Sequence, residues 1–311
     1  MRDAFIQAVT EEARKNPKII ILTADLGYTV FEKFQAEFPD RFINVGVAEA
    51  NMMGIAGGLA RAGKVPVVYS IANFAILRPF EQIRNDICFP NLNVKIIGVG
   101  AGLAYGHAGF THHATEDIAL ARALGSLTIV CPSGPIETGE ATRALLTHSG
   151  PAYLRISKKG EPNFTASSGQ FQIGKARILR EGSDVTFFGH GVILQNVLAC
   201  AEILSKNHGI ESSVVNLHTI RPLDRETIFR FARKTRCVVS VEEHGLEGGL
   251  GSAIAELVSE KPDLNVSLMR SGIVEKFSAV TGDRDYLLGK SHLLPAQLEE
   301  RILQFLPAAK R

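Results

Sequence analysis

The sequence has no tryptophan, no marked excess of charge of one sign, no clustered cysteines and no apolar run of membrane-spanning length. The missing tryptophan by itself excludes nothing. The charge balance does. A formal net charge of +2, with 21% of the 311 residues charged, leaves no basic footprint for nucleic acid or a lipid surface, so neither is an expected partner. No stretch is long and apolar enough to cross a bilayer as a helix. Met1-Arg-Asp-Ala-Phe-Ile6 opens into an amphipathic helical pattern and not into a secretory leader, so a cytoplasmic location is expected. Cys88, Cys131, Cys200 and Cys237 are far apart, lie in apolar neighbourhoods and form no C-x-x-C pair, which predicts buried, unbridged thiols.

What is present is an alternation of short apolar runs with helical periodicity. The length suffices for two domains with real cores. Strand character falls at 19–22, 42–47, 64–69, 93–99, 127–130 and 150–157. Helical patterns fall at 2–15, 29–37, 52–60, 70–86 and 136–147. This order predicts an α/β domain, a parallel sheet with helices on both faces. Residues 158–172 have linker composition. A second, smaller α/β unit follows, with strands near 184–188, 211–216, 237–241 and 265–270 and helices at 193–206 and 224–234. The expected boundaries are 1–157, a linker at 158–172, and 173–311. The glycine-rich run Gly245–Gly251 fails the G-x-G-x-x-G spacing of a dinucleotide site.

Candidate site residues gather where strands hand over to helices, the edge at which open α/β sheets bind ligands. Glu49 follows the run Phe42 to Val47 and precedes the small-residue segment Met52 to Ala60. A carboxylate with so much apolar sequence around it should be poorly solvated and suited to acid–base work. The same position would also suit a helix cap. Asp25 ends the first strand, as a site residue or as a turn former. His107, His112 and His113 fall within seven positions of a glycine-rich loop. They lack the register of metal ligands but suit proton transfer and hydrogen bonding near neutrality. Thr115-Glu-Asp117 should cap the next helix.

Asn44-Val-Gly-Val-Ala-Glu-Ala-Asn51 resembles the "GVAE/GVRE" segment of transketolases, Thr111-His112-His113 resembles their "THQ" loop, and Phe80-Glu-Gln-Ile-Arg84 resembles "FDQIR". The likeness runs along essentially the whole chain, but only to the second half of an ordinary transketolase. It implies a thiamine diphosphate-binding-type pyrimidine domain followed by a transketolase C-terminal-like domain. It implies that Glu49 hydrogen-bonds the cofactor's pyrimidine ring and drives its ionisation, and that His112, with His107 or His113, handles substrate oxygens and protons. Phe74 or Phe80 would stack on the pyrimidine, with Arg84 and Asp25 close to the cofactor. Lys158, followed by Lys159, takes the place of a phosphate-binding arginine, with Arg155 nearby. The ends of two later strands, Gly189-His190 and Glu242-Glu-His244, carry no catalytic assignment.

The family's "GDG…N" motif, which holds Mg²⁺ or Ca²⁺ and the diphosphate, has no convincing match. Gly282-Asp-Arg-Asp285 lies near the wrong end and lacks the downstream Asn. The resemblance therefore implies the C-terminal subunit of a split transketolase. An N-terminal subunit would carry that motif, the cofactor would be shared at the interface, and the assembly would be α2β2. Substrates would be sugar phosphates or related small molecules. Related chemistries remain open: a 1-deoxyxylulose-5-phosphate synthase-like carboligase or a 2-oxo acid dehydrogenase beta subunit. So does a non-enzyme, an inactive homologue that only binds a partner.

Overall fold

The computed structural model describes residues 1–158, 160–163, 170–274 and 280–309. Lys159 and residues 164–169, part of the expected linker, lie outside the described residues.

Runs of β-branched and other apolar residues, buried on both faces in all but the edge strand Phe42–Asn44, form the strands of the first sheet, as parallel strands between helical layers require. They are β1 (Ile19–Thr23), β2 (Phe42–Asn44), β3 (Val65–Ile71), β4 (Lys95–Val99), β5 (Thr128–Val130) and β6 (Ala152–Ile156). All six run parallel, in the order β5-β6-β4-β3-β1-β2. Side chains alternate across the sheet. Ile20, Leu22, Val68 and Ile96 face Met52, Met53 and Ala56 of the helix Glu49–Arg61. Ile19, Ile21, Val67 and Ile97 face Phe5 and Val9 of the helix Arg2–Lys15 and Leu145 of the helix Pro135–Thr147.

The second half builds a five-stranded sheet from β7 (Arg177–Arg180), β8 (Val185–Gly189), β9 (Ser212–Asn216), β11 (Cys237–Gly245) and β12 (Ser267–Ile273). The strand between β9 and β11, β10 (Thr219–Arg221), crosses to the first sheet and pairs antiparallel with β5, Thr219 opposite Val130. The apolar core follows it: Phe188, Val215 and Leu217 join the cluster that holds Leu22 and Met52. The two domains are thus sewn together by a shared strand and a shared core. The four cysteines are buried and none is in a disulfide.

Several boundaries differ from expectation for local reasons. β2 stops at Asn44, whose Oδ1 accepts from the backbone N–H of Gly46 (3.1 Å) and of Asp25 (2.9 Å) and turns the chain early. The helical stretch 70–86 is divided into Ala72–Ile76, Phe80–Gln82 and a wider turn at Ile83–Cys88. Pro79, which has no N–H to give, sits at the break. β7 and β10 are not visible in the sequence pattern, being four and three residues long with arginine in both. The run Gly245–Gly251 is a turn into the helix Leu250–Ser259. There the Glu242 carboxylate accepts from the N–H groups of Leu250 (2.7 Å) and Gly251 (2.8 Å), an anion on a helix N-terminus.

One buried cation anchors the far edge of the first sheet. Lys95 opens β4 at 1% exposure, and its Nζ donates to the carbonyls of His148 (2.8 Å) and Gly150 (2.7 Å). Burial pushes its ammonium down to about 7. The unfolded lysine keeps its proton up to about pH 10.4, whereas the folded one gives it up above about 7. The unfolded state therefore binds more protons between those values, and folding stability gains with rising pH. The stability difference between the wild type and Lys95→Met, from urea unfolding between pH 7 and pH 10, should shift toward the wild type by up to about 1.4 kcal/mol per pH unit. A pH-independent difference would contradict the assignment.

Candidate active site

Because the six strands of the first sheet run parallel, their carboxyl ends share one edge, and the loops leaving it carry the site. Glu49 is the first residue of its helix and is 4% exposed. It makes no side-chain cap to that helix. Both of its carboxylate oxygens accept instead from Nη1 of Arg78, at 2.8 and 3.0 Å. Arg78 lies in the turn after the short helix Ala72–Ile76 that follows β3, and its guanidinium covers the Phe74 ring, 3.7 Å from the centroid. The same ring meets His112 edge-on at 5.0 Å. His112 Nδ1 lies 3.0 Å from Thr111 Oγ1, and the Thr111 carbonyl accepts from Asn73 Nδ2 at 2.8 Å. On the far side the His112 ring is 6.2 Å from that of Tyr105, and Lys158 Nζ stands 4.8 Å over the Tyr105 ring. A continuous path of contacts therefore runs Glu49, Arg78, Phe74, His112, Tyr105, Lys158, with contributions from the ends of β2, β3, β4 and β6.

The electrostatics favour a neutral imidazole. Partial burial, then the Arg78 charge and His113, hold His112 below the ordinary histidine range. At neutral pH it can accept or donate a hydrogen bond without carrying a full charge.

The other sequence candidates stand elsewhere. His113 is buried, with Nε2 3.2 Å from the Gly106 carbonyl, and lines a cavity of about 440 Å³ with Leu103, Leu120 and Leu287, which Asn73 and Thr111 also border. His107 is exposed on the short turn Gly106–Ala108. Phe80 packs against the core beneath the sheet. Arg84 is exposed and donates to Asn85. Asp25 is at the same sheet edge but exposed, bonded by Tyr28 Oη (3.1 Å) and Asn44 Nδ2 (3.3 Å), in a hollow with Phe31 and Phe42.

Two expectations are corrected. Arg155 does not face a substrate: it is 3% exposed, and its Nε donates to Asp117 at 2.7 Å. Strand alternation turns it inward. Asp117, expected in a helix cap, is fully buried as that arginine's partner and also accepts from Tyr153 Oη at 2.6 Å. Arg78, Tyr105 and Asn73 were not among the sequence candidates. Arg78 had a signal: a cation four residues after an aromatic in a helical stretch falls on the same face. Nothing local marks Asn73 or Tyr105.

A six-stranded parallel array whose carboxyl-edge loops bring a carboxylate, an aromatic ring and an imidazole together, joined to a smaller sheet with its own helices, defines a two-domain α/β protein. The chain belongs to the transketolase family: the transketolase pyrimidine-binding domain matches residues 1–162 and the transketolase C-terminal domain residues 174–292. It is 36% identical to the 6-deoxy-6-sulfo-D-fructose transketolase subunit SqwH of Clostridium sp. (strain MSTE9), over 96% of this chain and 92% of that one. It is 36% identical to an apulose-4-phosphate transketolase subunit of Actinobacillus succinogenes, over 91% and 90%. A solved split-gene transketolase, an inactive β4 tetramer, superimposes with a TM-score of 0.88 at 36% identity, covering 100% of this chain and 98% of that one.

The His112 ring should titrate below the usual histidine value of about 6.5 when followed by NMR of the isolated chain. Arg78→Met removes a neighbouring positive charge, so the midpoint should rise, by a few tenths of a unit for a partly screened charge. An unmoved midpoint would place Arg78 away from His112.

Proposed function

We propose that this chain is the pyrimidine-binding subunit of a two-subunit thiamine diphosphate-dependent transketolase. It would act in transfer of a two-carbon ketol unit from a ketose to an aldehyde acceptor. The observation that carries this reading is Glu49, a carboxylate 4% exposed at the sheet's carboxyl edge, joined through Arg78 to the Phe74 ring and so to His112. The residues suit the pyrimidine half of the cofactor: one shielded carboxylate for a ring nitrogen and one aromatic face. For the diphosphate half the sequence offers no convincing GDG…N match. Thiamine diphosphate, when bound, supplies the stabilised carbanion chemistry of ketol transfer.

Glu49 shares a proton with the pyrimidine ring. Phe74, and not the core-packed Phe80, offers its face to that ring. Arg78 has to swing off the Phe74 face as a ring enters, and its side chain, 46% exposed, has solvent to move into. His112, neutral and held by Thr111, hydrogen-bonds substrate oxygens and passes protons. Lys158 provides a point charge for an anionic tail. Two relatives are named for ketoses with a sulfonate or a phosphate on the chain, which supports that role.

The diphosphate and a Mg²⁺ or Ca²⁺ ion fall to an N-terminal partner subunit with the GDG…N motif. Relatives named as subunits support this division, as does the inactivity of the β4 neighbour. Tyr28 and Val47, 70% and 72% exposed, and Phe110, 51% exposed, offer apolar surface near the site for such a partner, in an α2β2 assembly.

The test is ketol transfer from hydroxypyruvate to aldehydes with and without a terminal anion, by this chain alone and mixed with a diphosphate-binding partner. Activity is expected only in the mixture. Glu49→Gln should lower kcat by at least about 10²-fold with unchanged thermal unfolding, and Lys158→Met should raise KM about tenfold for anionic acceptors only. Full turnover in Glu49→Gln would refute the reading. Turnover of pyruvate in place of hydroxypyruvate would move it to a 1-deoxyxylulose-5-phosphate synthase-like carboligase.

A further inference from the structure

The second domain contributes nothing to the path from Glu49 to Lys158. Yet the strand end Glu242-Glu-His-Gly245 reaches across to the loop that carries His112. The loop's two feet are paired, Ala114 N–H donating to the Gly102 carbonyl at 2.9 Å. Each foot is then held from the second domain. Glu243 Oε1 accepts from the Leu103 N–H at 2.7 Å, and the Gly245 N–H donates to the Thr115 carbonyl at 2.8 Å. Arg155 spans the join, its Nη2 donating to the carbonyls of Ala114 (2.7 Å) and Glu243 (3.1 Å).

The packing leaves no slack. A Cβ on Gly102, where φ is +59°, would fall 2.4 Å from Glu243 Cγ. One on Gly106 would fall 2.4 Å from the Gly282 carbonyl oxygen. The Glu243 carboxylate, 6% exposed as a residue, is itself gripped by Arg284, through Nε at 3.0 Å and Nη2 at 2.6 Å to Oε2.

We infer that Glu243, held by Arg284, is a positioning residue for His112, and that fixing the histidine loop is the functional task of the second domain. Glu243 touches no part of the Glu49–Lys158 path. It acts by fixing the Leu103 end of a glycine-rich loop whose tip is set independently by Asn73 and Thr111. Without it the loop keeps its tip contact but gains freedom at one foot, and the imidazole becomes more solvated and less well aimed. For enzymatic rate this role presupposes the part proposed for His112; for loop order it does not.

The experiment compares wild type with Glu243→Ala, Glu243→Gln and Arg284→Met in two readouts. The first is the NMR titration of His112 in the isolated chain, with no cofactor or partner. Loss of burial should carry the Glu243→Ala midpoint up toward the ordinary value of about 6.5. Glu243→Gln, which keeps a carbonyl oxygen for the Leu103 N–H, should restore most of the wild-type position. Arg284→Met, at a part-exposed side chain, should give an intermediate shift and keeps the test open if Glu243→Ala does not fold.

The second readout is ketol transfer by the reconstituted enzyme. There kcat should fall roughly ten- to a hundred-fold in Glu243→Ala, with KM for cofactor little changed, and largely recover in Glu243→Gln. An unmoved His112 titration in folded Glu243→Ala or Arg284→Met overturns the inference even if the enzyme is a transketolase. Shifted titrations in a chain without ketol-transfer activity uphold the loop-fixing role and refute the proposed function.

Discussion

Arg155 is 3% exposed, and a charge taken that far from water persists only where partners surround it. Its surroundings come from four parts of the chain: Asp117 at the start of the helix Asp117–Ala123, Tyr153 on its own strand through Asp117, Ala114 of the histidine loop, and Glu243 of the second domain. Burial alone would raise the Asp117 carboxyl, but Arg155 and the hydrogen bonds outweigh it and hold it below the usual range. Burial also works against the guanidinium, and Asp117 outweighs that too. Taking away either partner would strand the other charge in the interior, a loss on the order of 3–5 kcal/mol. The pair is therefore a fixed point, from which the sheet edge, the loop and the second domain take their relative positions.

That fixed point matters because the loop beside it has little intrinsic order. Gly100, Gly102 and Gly109 all sit at positive φ, where glycine is at home and other residues are strained. Ordering each loop residue costs about 1–2 kcal/mol of backbone entropy. Apolar contact offsets part of it, since Leu103 and Ala114 are buried and Tyr105 packs against a core cluster, but Phe110 and Thr111 at the tip stay exposed. Directed hydrogen bonds from outside the loop supply the rest. They come from the second domain at the feet and from Asn73 at the tip.

The sheet that carries the site was legible in the sequence. Strands made of Ile, Val and Leu have one stable use between helical layers, so their order predicts the parallel sheet and its carboxyl edge. Glu49 and His112 stand out because a lone carboxylate after a strand and histidines in a glycine loop are chemically marked. Alternation along the strand marks the face of Arg155, but its partner is not legible, because its sequence neighbours, a strand end and two lysines, do not point to one. That partner is Asp117, 38 residues earlier. His112 and His113 are adjacent in sequence, yet one ring packs against Phe74 at the edge and the other is buried against the Gly106 carbonyl. That division is set by the loop's closure on Gly102, which leaves no mark in the residue types. β10 is invisible for a similar reason: three residues carry no periodicity, and their pairing with β5 exists only in the folded chain.

Two of the arginine–carboxylate pairs of the first domain divide structural from functional duty. Arg155 and Asp117 are both sealed, so neither can leave without exposing a buried charge. In the other pair Glu49 is 3% exposed as a side chain but Arg78 is 46% exposed. Such a pair is screened on the arginine side, as exposed ion pairs are. Glu49 needs some hydrogen-bond partner where it lies, because an unpaired buried carboxylate is costly. The partner it has is one that water can readily take back. A carboxylate satisfied by a removable cation, with that cation resting on the aromatic face between it and His112, is a site arranged to exchange one planar partner for another. In the proposed enzyme the incoming partner would be the pyrimidine ring, sharing the Glu49 proton, and the solvent-facing side of Arg78 is what would let it enter.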